Sequence, residues 1–142
     1  MVKKVDHIGV AVHSIDSALP FYRDVLQLSF MGCEEVPTQQ VKVAFLQISE
    51  SDTKIELIEP TSSESTIAKF LIKHGEGIHH IAFGVSNLAT RLVELKERGV
   101  PLIDENPRLG AANASIAFLH PKSANNVLVE LCEKQRGEYD DK

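Results

Sequence analysis

Apolar and polar residues alternate over residues 5–13, with Ile8, Val10 and Val12 on one side and His7, Gly9 and Ala11 on the other. A period of two predicts a half-buried strand. Ser14 and Asp16 then offer oxygens for a helix N-cap, and Ala18, Leu19, Tyr22, Val25 and Leu26 recur at helical spacing to about Leu28. Pro20 must sit in the first turn of that helix or bend it. Strands are expected over 29–36, 41–48 and 53–59, with Pro37-Thr38-Gln39-Gln40 as a turn and Ser49-Glu50-Ser51-Asp52 as a polar link. Pro60 closes this β-α-β-β-β order. Residues 61–66 are rich in Ser and Thr and can cap a linker helix over about 64–74, with Ile67, Phe70 and Leu71 on one face and Gly75 and Gly77 as its stop. The order then recurs: a strand over 78–86, a helix capped by Asn87 with Leu88, Leu92 and Leu95 as its stripe, a stop at Gly99, and a strand near 100–104. A loop from Glu105 to Ala114 and strands over 115–120 and 126–132 complete it. Lys134 to Lys142 are polar and read as a frayed tail.

The recurrence is visible residue by residue. Asp6-His7-Ile8-Gly9-Val10-Ala11-Val12 falls on His79-His80-Ile81-Ala82-Phe83-Gly84-Val85 at an offset of 80 − 7 = 73. Val43-Ala44-Phe45-Leu46 falls on Ile116-Ala117-Phe118-Leu119 at 116 − 43 = 73, and Ile55-Glu56-Leu57 on Val129-Glu130-Leu131 at 130 − 56 = 74. A fixed offset marks two copies of one module. The chain, 1–142, therefore reads as a single α+β domain of two tandem βαβββ modules, about 5–60 and 78–132.

Each copy opens with one histidine and closes with one glutamate. His7 and His80 share their strand face with small residues, which leaves room beside each imidazole. Glu56 and Glu130 point away from the apolar residues flanking them. If the modules pair about a pseudo-two-fold axis, His7, Glu56, His80 and Glu130 converge on one cavity. Two imidazoles and two carboxylates suit divalent Zn, Co, Ni, Mn or Fe. Four protein ligands leave open positions on a five- or six-coordinate ion, the mark of a catalytic site. A lone strand histidine is usually a hydrogen-bonded structural residue. Repetition of both type and place in two halves is hard to obtain from core packing. His79 copies Asp6 and points the other way, so it reads as structural or as support for a ligand. His13, His74 and His120 have no echo.

Bulk properties narrow the classes. A formal net charge of −5 argues against a nucleic-acid surface, which needs a basic face. No long apolar run follows the N-terminus, so neither a signal peptide nor a membrane span is expected. Cys33 and Cys132, with no motif spacing, fit a reducing cytoplasm and read as packing residues.

From Val5 to Leu131 the chain resembles the methylmalonyl-CoA epimerases of the vicinal oxygen chelate (glyoxalase/bleomycin resistance/dioxygenase) superfamily. The stretches that carry the resemblance are Val5 to Val12, Lys54-Ile55-Glu56-Leu57-Ile58-Glu59-Pro60, Ser65 to Leu71, Gly77-Ile78-His79-His80-Ile81-Ala82-Phe83, Phe118-Leu119-His120-Pro121-Lys122 and Val127 to Leu131. The resemblance implies two βαβββ modules forming a curved mixed sheet around a central metal site. It places the metal ligands on His7, Glu56, His80 and Glu130, the four residues the repeat singles out. It implies a divalent metal cofactor (Co, Zn, Mn or Ni), an acyl-CoA substrate and a cytoplasmic homodimer. The implied reaction interconverts (2R)- and (2S)-methylmalonyl-CoA by α-proton abstraction through a metal-stabilised enolate, with Glu130 and then Glu56 as catalytic base. Where some epimerases place a further acidic residue, this chain has Val43. Either another group acts on that face, or Glu56 is both ligand and base. The loop Asn106 to Asn113 is implied to hold the acyl group, with Arg108 or Lys122 available to phosphates. A lactoylglutathione lyase (glyoxalase I) shares the fold, the metal and similar ligands. A metal-free small-molecule-binding or resistance protein of the same fold would have no need of four intact ligands.

Overall fold

A computed structural model describes residues 1–134. The tail reading over 134–142 lies, Lys134 apart, outside the described residues. Lys134 itself is engaged: its Nζ lies 3.8 Å from an Asp6 carboxylate oxygen.

The described chain divides into two compact units, His7–His79 and a second made of Met1–Asp6 with the chain from His80 onward. Strands β1 (Val2–Ala11), which enters the first unit at His7, β2 (Ser29–Val36), β3 (Val41–Gln47) and β4 (Lys54–Pro60) form the run β2-β3-β4-β1. β1 is parallel to β4, and the other neighbours are antiparallel. The arrangement recurs with β5 (Gly77–Val85), which enters the second unit at His80, β6 (Arg108–Leu109), β7 (Ser115–Leu119) and β8 (Val129–Glu133) in the order β5-β8-β7-β6. β5 is parallel to β8, and the rest are antiparallel. A parallel pair cannot be closed by a tight turn, so each module carries a crossover helix between its first two strands.

Those helices are α1 (Ile15–Leu19) and α3 (Leu88–Glu97); the linker is α2 (Thr66–His74). α1 buries Ile15 and Leu19 against Val12, Ala44, Leu46 and Leu57. α3 buries Leu88 and Leu92 against Val85, Ala117, Val129 and Leu131. Val12 and Val85, Ile15 and Leu88, Leu19 and Leu92, Ala44 and Ala117, Leu57 and Leu131 are equivalent pairs, so one packing scheme is used twice. α2 is capped by Ser65, whose hydroxyl accepts from the Ala68 amide at 3.1 Å. It ends at Gly75, with φ at +78°, a conformation that favours glycine.

Several expectations are corrected. The helix after Ser14 is not one α-helix to Leu28. Beyond α1 the chain widens into a π-helical stretch, Pro20–Val25, where the Leu26 amide donates to the Phe21 carbonyl five residues back at 2.9 Å. Pro20 has no amide hydrogen to continue the α pattern. Asn87 makes no side-chain cap, because its backbone is left-handed. Glu133 does that work, accepting from the Asn87 and Leu88 amides at 2.8 and 3.0 Å. No strand forms over 100–104. Leu102 makes only an isolated bridge to Leu119, and the edge strand is β6, inside the expected loop. The last strand starts at Val129, after a short 3-10 turn over Pro121–Ala124. Cys33 is exposed rather than packed, while Cys132 is buried. No helix among the described residues is long and apolar enough to cross a membrane.

Candidate metal and active site

Pleating decides where the four repeated residues go. On β4, Ile55 and Leu57 turn to the α1 core, so Glu56 faces the other side of the sheet. On β8, Val129 and Leu131 turn to the α3 core, so Glu130 faces away from it. The registers match: Gly9 pairs with Glu56 on the β1–β4 ladder, and Ala82 pairs with Glu130 on the β5–β8 ladder. Each histidine lies two residues before that pairing, on the same strand face.

Each unit thus holds one His–Glu pair. His7 Nδ1 lies 3.2 Å from Glu56 Oε2. His80 Nε2 lies 3.3 Å from Glu130 Oε1. All four are buried, with exposures of 6%, 5%, 5% and 4% in chain order His7, Glu56, His80, Glu130. A buried carboxylate is costly without a cation or donors. Separations of 3.2 and 3.3 Å also lie near the ~3.0–3.4 Å edge between ligands bound at ~2.1 Å to one ion. The pairs are not copies in detail, since one presents Nδ1 to its carboxylate and the other Nε2.

Aromatic rings flank the glutamates at equivalent places. Phe45 stands opposite Glu56, and Phe118 opposite Glu130. Phe118 meets the His80 ring edge-to-face at 5.6 Å. The Arg108 guanidinium carbon lies 5.5 Å from the Phe118 centroid. Asp104 positions this arginine, with Arg108 Nε 3.2 Å from the carboxylate oxygen that also accepts from the Phe118 amide at 2.8 Å. The loop expected near an acyl group thus carries a held cation, stacked on the ring beside His80.

Two further histidines, His79 and His120, have other work. His79 packs edge-on against Phe70 of α2 at 5.0 Å, and burial pushes its pKa down to about 4. His120 caps the 3-10 turn, its Nδ1 accepting from the Lys122 amide at 3.0 Å. Two groups escaped the sequence reading. Asp6, 1% exposed, is approached by Lys4 at 3.9 Å and Lys134 at 3.8 Å. It also hydrogen-bonds Cys132, whose thiol pKa is raised by burial first and by the charge of Asp6 next. Glu59 and Glu133 form the second group. Glu59 accepts from the Ile15 amide at 2.7 Å, as Glu133 does from Leu88. Their offset, 133 − 59 = 74, equals that of Glu56 and Glu130, a signal present in the sequence.

A profile of the Glyoxalase/Bleomycin resistance protein/Dioxygenase superfamily matches residues 6–118. The chain is 45% identical over 140 residues to the uncharacterized protein YqjC of Bacillus subtilis, covering 99% of each. It is 35% identical over 133 residues to an ethylmalonyl-CoA/methylmalonyl-CoA epimerase of Cereibacter sphaeroides, covering 92% of this chain and 98% of that one. A solved methylmalonyl-CoA epimerase in complex with methylmalonyl-CoA and NH4+ superposes with a TM-score of 0.90 at 34% identity, covering 96% and 97% of the two chains.

Proposed function

Since the chain belongs to the Glyoxalase/Bleomycin resistance protein/Dioxygenase superfamily, and within it to the methylmalonyl-CoA epimerase family, we propose that it interconverts (2R)- and (2S)-methylmalonyl-CoA with a divalent metal ion. One observation carries this reading. Each module buries a histidine and a glutamate within 3.3 Å of each other, on the sheet face its crossover helix leaves uncovered.

His7, Glu56, His80 and Glu130 would hold the ion. Their imidazoles and carboxylates fit Co, Zn, Mn or Ni. When bound, it supplies Lewis-acid stabilisation of the negative charge that develops on the thioester oxygen. Two carboxylates and two neutral imidazoles balance a divalent charge, so the ligand set does not repel an anionic substrate. Glu130 acts as the base that takes the α-proton, and Glu56 is the second choice. Phe45 stands opposite Glu56 and Phe118 opposite Glu130, so each glutamate has an aromatic ring as its cross-strand neighbour. Arg108, steadied by Asp104, is available to an anionic part of the acyl-CoA, and Lys122 to a phosphate.

We further read the chain as one domain that works as a cytoplasmic homodimer; sedimentation at the single-chain mass of 15.7 kDa would exclude the dimer. The relatives named as epimerases favour this chemistry over lactoylglutathione lyase. The test is a proton NMR time course of methylmalonyl-CoA in D₂O with Co²⁺-loaded protein. Loss of the α-proton signal far above the no-enzyme rate, stopped by a chelator, is the expected result. Glu130→Gln should lower the rate by about 10²-fold or more, the usual worth of a positioned base. No exchange above background would sink the epimerase reading, and an active Glu130→Gln would remove Glu130 as base.

A further inference from the structure

A malonyl-type thioester brings a charge of its own, a carboxylate bonded directly to the reacting α-carbon. A ligand set balanced against its metal does not repel that carboxylate, but it does not attract it either. We propose that Arg108, held by Asp104, binds this carboxylate and makes the site select malonyl-type acyl-CoA over thioesters with an uncharged acyl group. This selection rests on the epimerase reading above.

Strand register places the guanidinium. Arg108 pairs with Ile116 on the β6–β7 ladder, and Phe118 pairs with Glu130 on the β7–β8 ladder. Directly opposed residues share a face, as do residues two apart on one strand. Arg108, Ile116, Phe118 and Glu130 therefore lie on one face of the sheet, and all four belong to one compact unit. His80 belongs to that unit too, 3.3 Å from Glu130. The fold itself does not ask for a cation here. At the equivalent place in the first module Glu34 pairs with Val43, as Arg108 pairs with Ile116, and that residue is a carboxylate.

Asp104 fixes the arginine and the ring beneath it together. Its Oδ2 accepts from Arg108 Nε at 3.2 Å and from the Phe118 amide at 2.8 Å, and its own amide donates to the Phe118 carbonyl at 3.1 Å. Both backbone polar groups of Phe118 are thus engaged by the residue that holds Arg108. The Asp104 side chain is 18% exposed and that of Arg108 45%, so the anchor is sheltered and the guanidinium is open. Nε is committed to Asp104. Nη1 and Nη2 make no hydrogen bond or ion pair with the described residues. Those two nitrogens are one edge of a planar fork that meets a carboxylate with two parallel hydrogen bonds.

Reach decides which anion this fork meets. The guanidinium carbon lies 5.5 Å from the Phe118 centroid, and the His80 ring centre lies 5.6 Å from it. Together these distances keep the guanidinium carbon within about 11 Å of the His80 ring centre. An acyl-CoA carries its other negative charge on phosphates, the first of them about thirteen bonds from the thioester sulfur. An extended chain spans ~3.5 Å per three bonds, so that phosphate stands about 15 Å beyond the sulfur. With the α-carbon beside Glu130, the acyl carboxylate is the anion close enough for Arg108, and the phosphates of an extended CoA lie past it.

The test is calorimetric titration of full-length, Co²⁺-loaded protein with malonyl-CoA and with propionyl-CoA. The two share every phosphate and differ by a carboxylate in place of a methyl group. Wild type should prefer malonyl-CoA. Arg108→Gln should cut that preference by about 10- to 100-fold, the usual worth of hydrogen bonds between charged groups, with the Kd for propionyl-CoA within threefold of wild type. Arg108→Met, which keeps an apolar stem over Phe118, is a second neutral variant and should behave alike. Asp104→Asn keeps an acceptor for the Phe118 amide but loses the charge that holds Arg108, and should lower the preference by a smaller factor. A preference undiminished in Arg108→Gln or Arg108→Met overturns the proposal. Equal weakening of both ligands also overturns it, because that places Arg108 on the phosphates. Wild type that exchanges no α-proton of methylmalonyl-CoA in D₂O sinks the epimerase reading. An exchanging wild type whose binding preference is indifferent to Arg108 sinks the role of Arg108 alone.

Discussion

His79 and His80 are neighbours with opposite tasks, because adjacent strand residues face opposite sides. His80 sits beside Glu130. His79 is held neutral by burial against α2, with its pKa lowered from 6.5 to about 4. The unfolded chain binds that proton at the ordinary value, so it gains protons first as pH falls. The stabilisation is whole above pH 6.5 and is lost on the way down to pH 4. A shift of this size corresponds to about 3 kcal/mol. His79→Phe, which keeps a ring against Phe70, should flatten the fall in stability over that window, as read by urea unfolding at several pH values. An unchanged slope would mean that His79 is already charged in the fold. At this scale the sequence was informative wherever a residue type recurred at a fixed offset. It was silent on Asp6, whose partners Lys4 and Lys134 come from opposite ends of the described chain.

Elements show a sharper limit. Strand and helix periods were legible because one face of each is covered and the other is not. Caps were less so. Asn87 has the right chemistry and place, but the left-handed backbone there turns it away, and a carboxylate from β8 takes over. Glu59 does the same for α1 from β4. Both set a negative charge at a helix N-terminus, where unpaired amides and the helix dipole favour it. Glu59→Ala and Glu133→Ala should each cost about 1–2 kcal/mol, the range of a strong side-chain cap, with the urea m-value unchanged. A loss of under a few tenths would show that water replaces the carboxylate. The missing strand at 100–104 has a similar origin. Its apolar residues matched the pattern, yet β7 pairs with Arg108–Leu109 instead, and ladder partners are not encoded in the strand itself.

For the whole molecule, metal and fold should be linked. An ion that binds only the folded chain, at a hundred times its Kd, adds about 2.7 kcal/mol of stability. Co²⁺ should therefore raise the melting temperature by several degrees, and His7→Ala or Glu130→Ala should remove most of that rise. A rise kept in both variants would place the ion elsewhere. This melt requires no turnover, so it separates metal binding from the epimerase chemistry. The sequence by itself determined the duplication, the βαβββ order, and the pairing of one histidine with one glutamate in each module, because periodicity and repetition are properties of the chain alone. Only the tertiary structure decided that Arg108 lies over Phe118 and which carboxylates cap the helices. Register between strands distant in sequence is settled by packing rather than by any local pattern.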